Sequence, residues 1–251
     1  MRVREAVEQV INSGVNPIVL DVQRVLDFSL NVEGLRTSLV VRSLELGVLT
    51  ANEYRFIARR SEQGSRLTER NLEKLLYFYL DLKKEFSQAK FFTVSVYARS
   101  LLNGVLFNVV ETFLKKYPLV DPNTICFEMS ADILFEDLEL YKKEIKKLKQ
   151  LGVKIALCEV GGEFCPLLRL GEIDYDIVFL DEYFINSLKE SNAELKASSI
   201  INFINNRPCK IYGSSISGEE VSLLENVGAD GYTLKTDNEL ENKNWRVGGR
   251  L

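Results

Sequence analysis

A thiol, a carboxylate and two glycines follow one predicted strand, and these groups could support chemistry. The apolar residues Val153, Ile155, Ala156 and Leu157 lead into Cys158-Glu159-Val160-Gly161-Gly162. In α/β proteins, catalytic groups usually stand at such a strand end. No GxGxxG or GxxxxGK pattern surrounds Gly161 and Gly162, so they predict a turn and not a phosphate cradle.

The absence of histidine limits the chemistry further. None of the 251 residues is histidine, which excludes Ser-His-Asp and Cys-His triads and zinc sites with imidazole ligands. Catalysis would have to use carboxylates, lysine, tyrosine or cysteine. Without a histidine to activate it, Cys158 is predicted to be a packed thiol. The four cysteines lack CxxC spacing, which favours free thiols in a cytoplasmic protein.

The overall composition is that of an ordinary globular protein. Hydrophobic residues make up 46% of the chain and charged residues 27%. The formal net charge of −4 gives no reason to expect direct binding to nucleic acid. We expect no membrane partner, because no apolar stretch approaches the length of a membrane span. The amino-terminal segment also lacks the apolar core of a signal peptide.

Strand-like and helix-like segments alternate along the chain. The strand candidates are 17–22, 25–32, 91–97, 124–129, 153–158, 175–181, 209–214 and 229–234. The first two are separated only by Gln23 and Arg24, which predicts an antiparallel hairpin. Helical spacing is clearest in one apolar face: Leu72, Leu75, Leu76, Tyr79 and Leu82. Gly152 and Gly228 are predicted to end helices, and Ser217 with Glu220 to begin one.

This alternation predicts a single closed α/β barrel over residues 1–235, irregular because its first strands are antiparallel. Two doubly wound domains are the alternative, but no change in composition marks a boundary. Residues 236–251 form a polar tail that contains Trp245.

Several segments resemble, in order, the motifs of bacterial EAL domains. NPIVLDV and NVEGLR are similar to the family's QPIvd and vEALlR, FTVSVYARSLL to vxvNlSarqL, and ICFEMSAD to lxlEiTEs. IALCEVGGEF stands where the family has iaLDDFGtGy, YDIVFLDEYFI where it has dxlKiDrsFi, and IYGSSISGEE where it has viAEGVEtxe. The resemblance covers about residues 8–235. It implies an irregular (β/α)8 TIM-like barrel with an antiparallel first strand.

The resemblance implies a site for metal-dependent hydrolysis of cyclic di-GMP. In EAL domains, carboxylates and an asparagine at strand ends hold two divalent cations, and a lysine assists the attacking water. By the motifs, Glu33 takes the place of the EAL glutamate, Arg36 that of an arginine contacting phosphate, and Glu128 that of the first glutamate of lEiTE. Asp181 matches the aspartate of KiD.

Other positions depart from the family pattern. Ser95 replaces the asparagine, Cys158 and Glu159 the paired aspartates, and Phe179 the lysine. The remaining substitutions are Asn16 for the glutamine of QPI, and Ser214 and Ser217 for the glutamates of AEGVE. A thiol is a poor ligand for Mg²⁺ or Mn²⁺, and loss of the lysine removes a charged catalytic group. We therefore expect no metal cofactor and no catalysis, with Glu33, Arg36, Glu128, Glu159 and Asp181 as vestigial ligand-binding positions.

These expectations favour a regulatory EAL-like protein that acts through protein–protein interaction. The resemblance implies roles in motility, surface attachment or transcription control, with an unidentified regulatory protein as partner or a homodimer. The alternatives are a cyclic di-GMP receptor that does not cleave its ligand and, less favoured, a residual phosphodiesterase. We do not expect tight binding of cyclic di-GMP. Candidate interaction surfaces are the helix around Tyr77, Phe78 and Tyr79, and the tail with Trp245.

Overall fold

The computed structural model describes residues 2–12, 18–43, 46–59, 61–163, 165–190, 193–218 and 220–235. Its strands are β1 Ile18–Leu26, β2 Val32–Ser43, β3 Gly47–Leu49, β4 Phe92–Val96, β5 Ile125–Ser130, β6 Lys154–Val160, β7 Ile177–Leu180, β8 Lys210–Ile216 and β9 Gly231–Leu234. Its α-helices are α1 Arg2–Asn12, α2 Ala51–Arg59, α3 Gln63–Glu85, α4 Val105–Lys116, α5 Leu138–Gln150, α6 Glu182–Ser187, α7 Ala193–Ile204 and α8 Glu220–Asn226. Short 3₁₀ helices span Ala98–Gly104, Pro122–Thr124, Ala131–Phe135 and Leu167–Glu172.

Eight of the strands close into a barrel. The hydrogen-bonded order is β1-β9-β8-β7-β6-β5-β4-β2, and β1 also pairs with β2. Strand β1 is antiparallel to both neighbours, whereas β2 and β4 to β9 pair in parallel. Strand β3 is added antiparallel to β2. The predicted irregular barrel with an antiparallel first strand is confirmed, and the two-domain alternative is wrong because one sheet joins strands from both ends of the chain.

The first hairpin differs from its prediction. Gln23 and Arg24 do not form a turn, because β1 is continuous and they pair with Arg36 and Leu35 of β2. The chain reverses instead after Leu26. There the Asp27 carboxylate accepts hydrogen bonds from the backbone N–H groups of Ser29 (2.9 Å) and Asn31 (2.8 Å). Residues 25–32, predicted as one strand, therefore contain the end of β1, the turn and the first residue of β2.

The barrel interior is filled by side chains. Strand side chains alternate between the two faces of a sheet. One face packs beneath the helices, and the other forms a separate buried cluster of Val25, Phe91, Cys126, Ala156, Cys158, Ile177, Phe179 and Tyr212. The ring of Tyr212 lies 5.8 Å from those of Phe91 and Phe179, measured between centroids. The interior is therefore a packed core, as in other barrels of this kind.

The predicted helix features are present in α3, α5 and α8. All five predicted apolar residues of α3 are buried, while Tyr77 is 70% exposed. Gly152 and Gly228 follow α5 and α8 with φ of +93° and +90°, the left-handed geometry that suits a helix stop. The Glu220 carboxylate accepts hydrogen bonds from the backbone N–H (2.8 Å) and hydroxyl (2.9 Å) of Ser217.

Three predictions lie outside the described residues: Asn16, Trp245 and the tail 236–251. Within the described ranges, no helix combines the length and the apolar character needed to cross a membrane.

Candidate functional site

The parallel strands bring a set of inward-facing side chains to one end of the barrel. Glu128 and Ser214 lie two residues beyond members of the interior cluster, and Cys158 and Phe179 belong to it, so these four face inward on the carboxyl half of their strands. Arg36 of β2 joins them through its contacts with Glu128, Ser214 and Phe179. We call this end the mouth and define it by Arg36, Glu128, Cys158, Phe179 and Ser214. These five residues come from β2, β5, β6, β7 and β8.

An ion pair occupies the centre of the mouth. Arg36 donates from Nε to both carboxylate oxygens of Glu128, at 3.0 and 2.9 Å, and from Nη2 to Oε1 at 2.6 Å. The Glu128 side chain is 6% exposed and that of Arg36 is 20% exposed. Burial lowers the pKa of Arg36, but the Glu128 carboxylate more than offsets this and raises it above its ordinary value. The guanidinium is therefore charged.

Two further side chains hold the Arg36 guanidinium in place. Its Nη1 donates to the Ser214 hydroxyl at 3.1 Å. Its central carbon lies 4.6 Å from the centroid of the Phe179 ring, within range of a cation–π interaction. The carboxylate, the hydroxyl oxygen and the aromatic face all favour a positive charge at this point. Arg36 supplies that charge.

A second charged cluster surrounds Glu159 beside the mouth. Its carboxylate accepts from Arg59 Nη2 at 2.6 and 2.5 Å and from the Ser130 hydroxyl at 2.7 Å. Arg55 Nη1 lies 2.7 Å from the same carboxylate. Burial raises the pKa of Glu159, but Arg59, Ser130 and Arg55 together bring it below its ordinary value. Glu159 is therefore an ionised carboxylate with two guanidinium partners.

Arg55 and Arg59 were not among the predicted site residues. They stand four residues apart in α2, which places them on one face of the helix. Both guanidinium groups lie near the ring of Phe56, at 5.7 and 5.4 Å, and that ring is 63% exposed. The i, i+4 spacing of the arginines in YRFIAR was the sequence signal that could have identified them.

Glu33 lies at the opposite end of the barrel. It is the second residue of β2, and its carboxylate binds Lys90 Nζ at 2.7 and 2.8 Å. Lys90 precedes β4, so this pair stands at the amino ends of the parallel strands. The structure therefore does not bring Glu33 together with Glu128, and the β2 side chain that reaches the mouth is Arg36.

Asp181 acts as a helix cap. It follows β7, and its Oδ1 accepts a hydrogen bond from the backbone N–H of Tyr183 at 2.8 Å, at the start of α6. Of the five predicted site residues, Arg36 and Glu128 are thus in direct contact, and Glu159 lies in the adjoining cluster. Asp181 has a local structural contact, and Glu33 lies elsewhere.

Comparison with known proteins identifies the family. The EAL domain model matches residues 23–233, and the chain belongs to the EAL-domain family. The FimX EAL domain has the same fold, with a TM-score of 0.79 at 15% identity over 99% of this chain and 98% of that one. The phosphodiesterase PaMucR, solved with c-di-GMP, gives a TM-score of 0.77 at 17% identity over 94% of this chain and 95% of that one.

Among curated proteins, the cyclic di-GMP phosphodiesterase PdeA of Borreliella burgdorferi is 26% identical over 113 residues, 44% of this chain and 16% of that protein. The curated relatives are much longer proteins, and the matched stretch covers 16% of the length of each.

The residues in the mouth do not fit the divalent cations that the family implies. Mg²⁺ and Mn²⁺ require several oxygen ligands, usually charged. Both oxygens of Glu128 already accept hydrogen bonds from Arg36. Burial raises the pKa of the Cys158 thiol, which makes it a neutral soft donor, and Phe179 offers no ligand atom. Across the described ranges, no group of three or more Cys, Asp or Glu side chains is placed to hold a metal ion.

Proposed function

We propose that this chain is a non-catalytic EAL-domain protein that acts by binding another protein in a bacterial signalling pathway. The observation that carries the proposal is the Arg36–Glu128 ion pair, stacked on Phe179 at the centre of the mouth. This pair takes up the carboxylate that hydrolysis would need for a metal ion. The expected absence of a metal cofactor is part of the same proposal.

The remaining groups in the mouth offer no substitute for metal-assisted hydrolysis. That reaction requires a cation that lowers the pKa of a bound water and stabilises developing negative charge. A guanidinium can stabilise charge but does not coordinate water and lower its pKa as a metal ion does. Phe179 cannot donate a proton or a hydrogen bond, and the neutral thiol of Cys158 cannot act as a nucleophile. We therefore expect the mouth to be inert toward a phosphodiester.

A protein-binding role draws its support from the outer surface. On α3, Tyr77 is 70% exposed and Leu80 is 56% exposed, three residues further along the same helix. Exposed aromatic residues are the common anchors of protein interfaces. The partner would be a regulatory protein of motility, surface attachment or transcription, or a second copy of the chain. The four free cysteines suit a reducing compartment such as the cytoplasm.

A non-hydrolysing cyclic di-GMP receptor is the second candidate. It is favoured by the exposed ring of Phe56 beside Arg55 and Arg59, since an aromatic ring and guanidinium groups can stack on a base and bind phosphate. Against it, both arginines already bind the Glu159 carboxylate, and Arg36 binds Glu128. A ligand phosphate would have to displace these carboxylates.

Hydrolysis can be tested directly. Purified protein is incubated with cyclic di-GMP and Mn²⁺ or Mg²⁺, and the linear dinucleotide is quantified by chromatography. We expect no turnover above a protein-free control. Two variants decide whether any turnover belongs to the mouth: Glu128→Gln removes the carboxylate there, and Glu33→Gln removes one at the other end of the barrel. Turnover that Glu128→Gln abolishes and Glu33→Gln preserves would overturn the proposal.

A further inference from the structure

We infer that the guanidinium of Arg36 is a resident cation that takes the place of a divalent metal, so that the mouth is complete without metal. The inference deepens the proposed function and rests on it in one respect, the absence of metal-dependent hydrolysis. It adds that the mouth still requires a positive charge and that the chain itself supplies it.

The buried carboxylate of Glu128 requires compensation of its negative charge. A carboxylate that is 6% exposed is costly to bury unless a cation or several hydrogen-bond donors compensate it. Arg36 provides three N–H contacts of 2.6 to 3.0 Å to its two oxygens. The guanidinium is therefore the counter-charge that makes this carboxylate tolerable inside the barrel.

The groups that surround the Arg36 guanidinium also favour a positive charge. Besides Glu128, Arg36 meets an acceptor oxygen at Ser214 and the negative face of the Phe179 ring. These three contacts come from three different strands, β5, β7 and β8. The barrel thus surrounds one point with groups that each stabilise a positive charge. Either a metal ion or a guanidinium could supply the positive charge at this point, but the two cannot occupy it together.

The carboxylate at the end of the neighbouring strand is also paired with arginines. At the end of β6, Glu159 is neutralised by Arg55 and Arg59 from α2, with N–O distances of 2.7 and 2.5 Å. Carboxylates at two adjacent strand ends are therefore both matched by arginines of this chain. Neither one is left to recruit a divalent cation.

The test measures Mn²⁺ binding by calorimetry, and thermal unfolding with Mn²⁺ or with a chelator. Wild-type protein is expected to show no saturable Mn²⁺ binding and an unchanged melting temperature. Arg36→Met leaves the buried Glu128 carboxylate without its counter-charge, and this variant is expected to melt at a lower temperature than the wild type. Mn²⁺ is not expected to restore the melting temperature, because one carboxylate and one hydroxyl are too few oxygen ligands for the ion. The double variant Arg36→Met/Glu128→Gln, which removes the buried negative charge as well, is expected to melt at a higher temperature than Arg36→Met.

The matched control is Lys90→Met, which also removes the cation of a glutamate, but at the far end of the barrel, where the Lys90 side chain is 64% exposed. It is expected to lower the melting temperature less than Arg36→Met does. The inference is overturned if the wild type binds Mn²⁺ and Glu128→Gln abolishes that binding, or if the double variant melts no higher than Arg36→Met. Should Arg36→Met not fold, a folded double variant supports the inference and an unfolded double variant overturns it.

These outcomes separate the inference from the proposed function. Mn²⁺ binding at Glu128 in a wild-type protein that does not hydrolyse cyclic di-GMP overturns the resident cation alone. Mn²⁺-dependent hydrolysis that requires Glu128 overturns both.

Discussion

Removing the Arg36 side chain leaves the Glu128 carboxylate buried without a positive partner. We predict that Arg36→Met destabilises the protein by about 3–5 kcal/mol near neutral pH, as measured by urea unfolding. The control is Arg70→Met, because Arg70 pairs with Glu73 on the exposed surface of α3, where such pairs contribute about 0–1 kcal/mol. Equal effects of the two substitutions would contradict the assignment of Arg36 to a buried ion pair that stabilises the fold.

Glu159 makes the protein's stability depend on pH with a defined sign. Its folded-state pKa lies below the ordinary value of 4.5, so the carboxylate stabilises the fold above that value and this contribution is lost as the pH falls through the folded pKa. Glu159→Gln keeps the shape and the left-handed backbone, with φ of +61°, but removes the charge. The wild type should exceed this variant in urea midpoint at about pH 6, and the difference should shrink toward about pH 3. A difference that does not change with pH would contradict the ion pairs of Glu159.

The motifs predicted only in part which side chains enter the mouth. Glu33 lies at the start of β2, where a register shift leaves it unpaired with β1, and Arg36 lies three residues further along the strand, so only Arg36 reaches the mouth. Motif matching assigned both to the site. The structure selects Arg36, because β1 continues past Gln23 and Arg24 and fixes the register of β2 against it. The contacts of Arg55 and Arg59 with Glu159 join residues about one hundred positions apart, which no local pattern records.

The short helix α6, which follows β7, is capped by the side chain of Asp181, the residue before its first turn. For α6, we predict that Asp181→Ala destabilises the protein by about 0.5–2 kcal/mol, since it removes the acceptor of the Tyr183 backbone N–H. Asp181→Asn retains an acceptor oxygen and should be close to wild type. Urea unfolding of both variants measures the difference. A loss of equal size in both variants would indicate that the charge of Asp181, and not its capping bond, stabilises the fold.

Element boundaries were predictable where a local signal exists. The buried face of α3 follows from the spacing of its leucines, and the ends of α5 and α8 follow from Gly152 and Gly228. The antiparallel pairing of the first hairpin was predicted correctly, but its turn was placed at the wrong residues, because the actual turn carries no glycine. It depends instead on the Asp27 side chain, whose hydrogen bonds to Ser29 and Asn31 become visible only in the folded turn. The 3₁₀ segment Ala131–Phe135 also lacks an apolar period long enough to identify it.

Over the whole molecule, the barrel was predictable because alternation of strands and helices leaves few ways to bury both faces of a sheet. Closure between β1 and β2 and between β1 and β9 joins both ends of the domain, as the resemblance to EAL domains implied. The state of the mouth was predictable only in part. The departures from the family's motifs at Cys158, Glu159 and Phe179 could be seen in the sequence, whereas the proposal that Arg36 takes the place of a metal depends on the distances around Glu128.

The ion pairs at the mouth also affect how tightly the protein should bind cyclic di-GMP. We predict that cyclic di-GMP binds more weakly than about 10 µM in calorimetry, with or without Mg²⁺, because its phosphates must compete with Glu128 and Glu159 for guanidinium groups that these carboxylates already hold. Glu159→Gln removes the carboxylate that Arg55 and Arg59 share, so this variant should bind the nucleotide more tightly than the wild type does. Glu33→Gln, at the other end of the barrel, should not. Submicromolar binding by the wild type that Arg59→Met abolishes would contradict the prediction and favour the receptor over the protein-binding role.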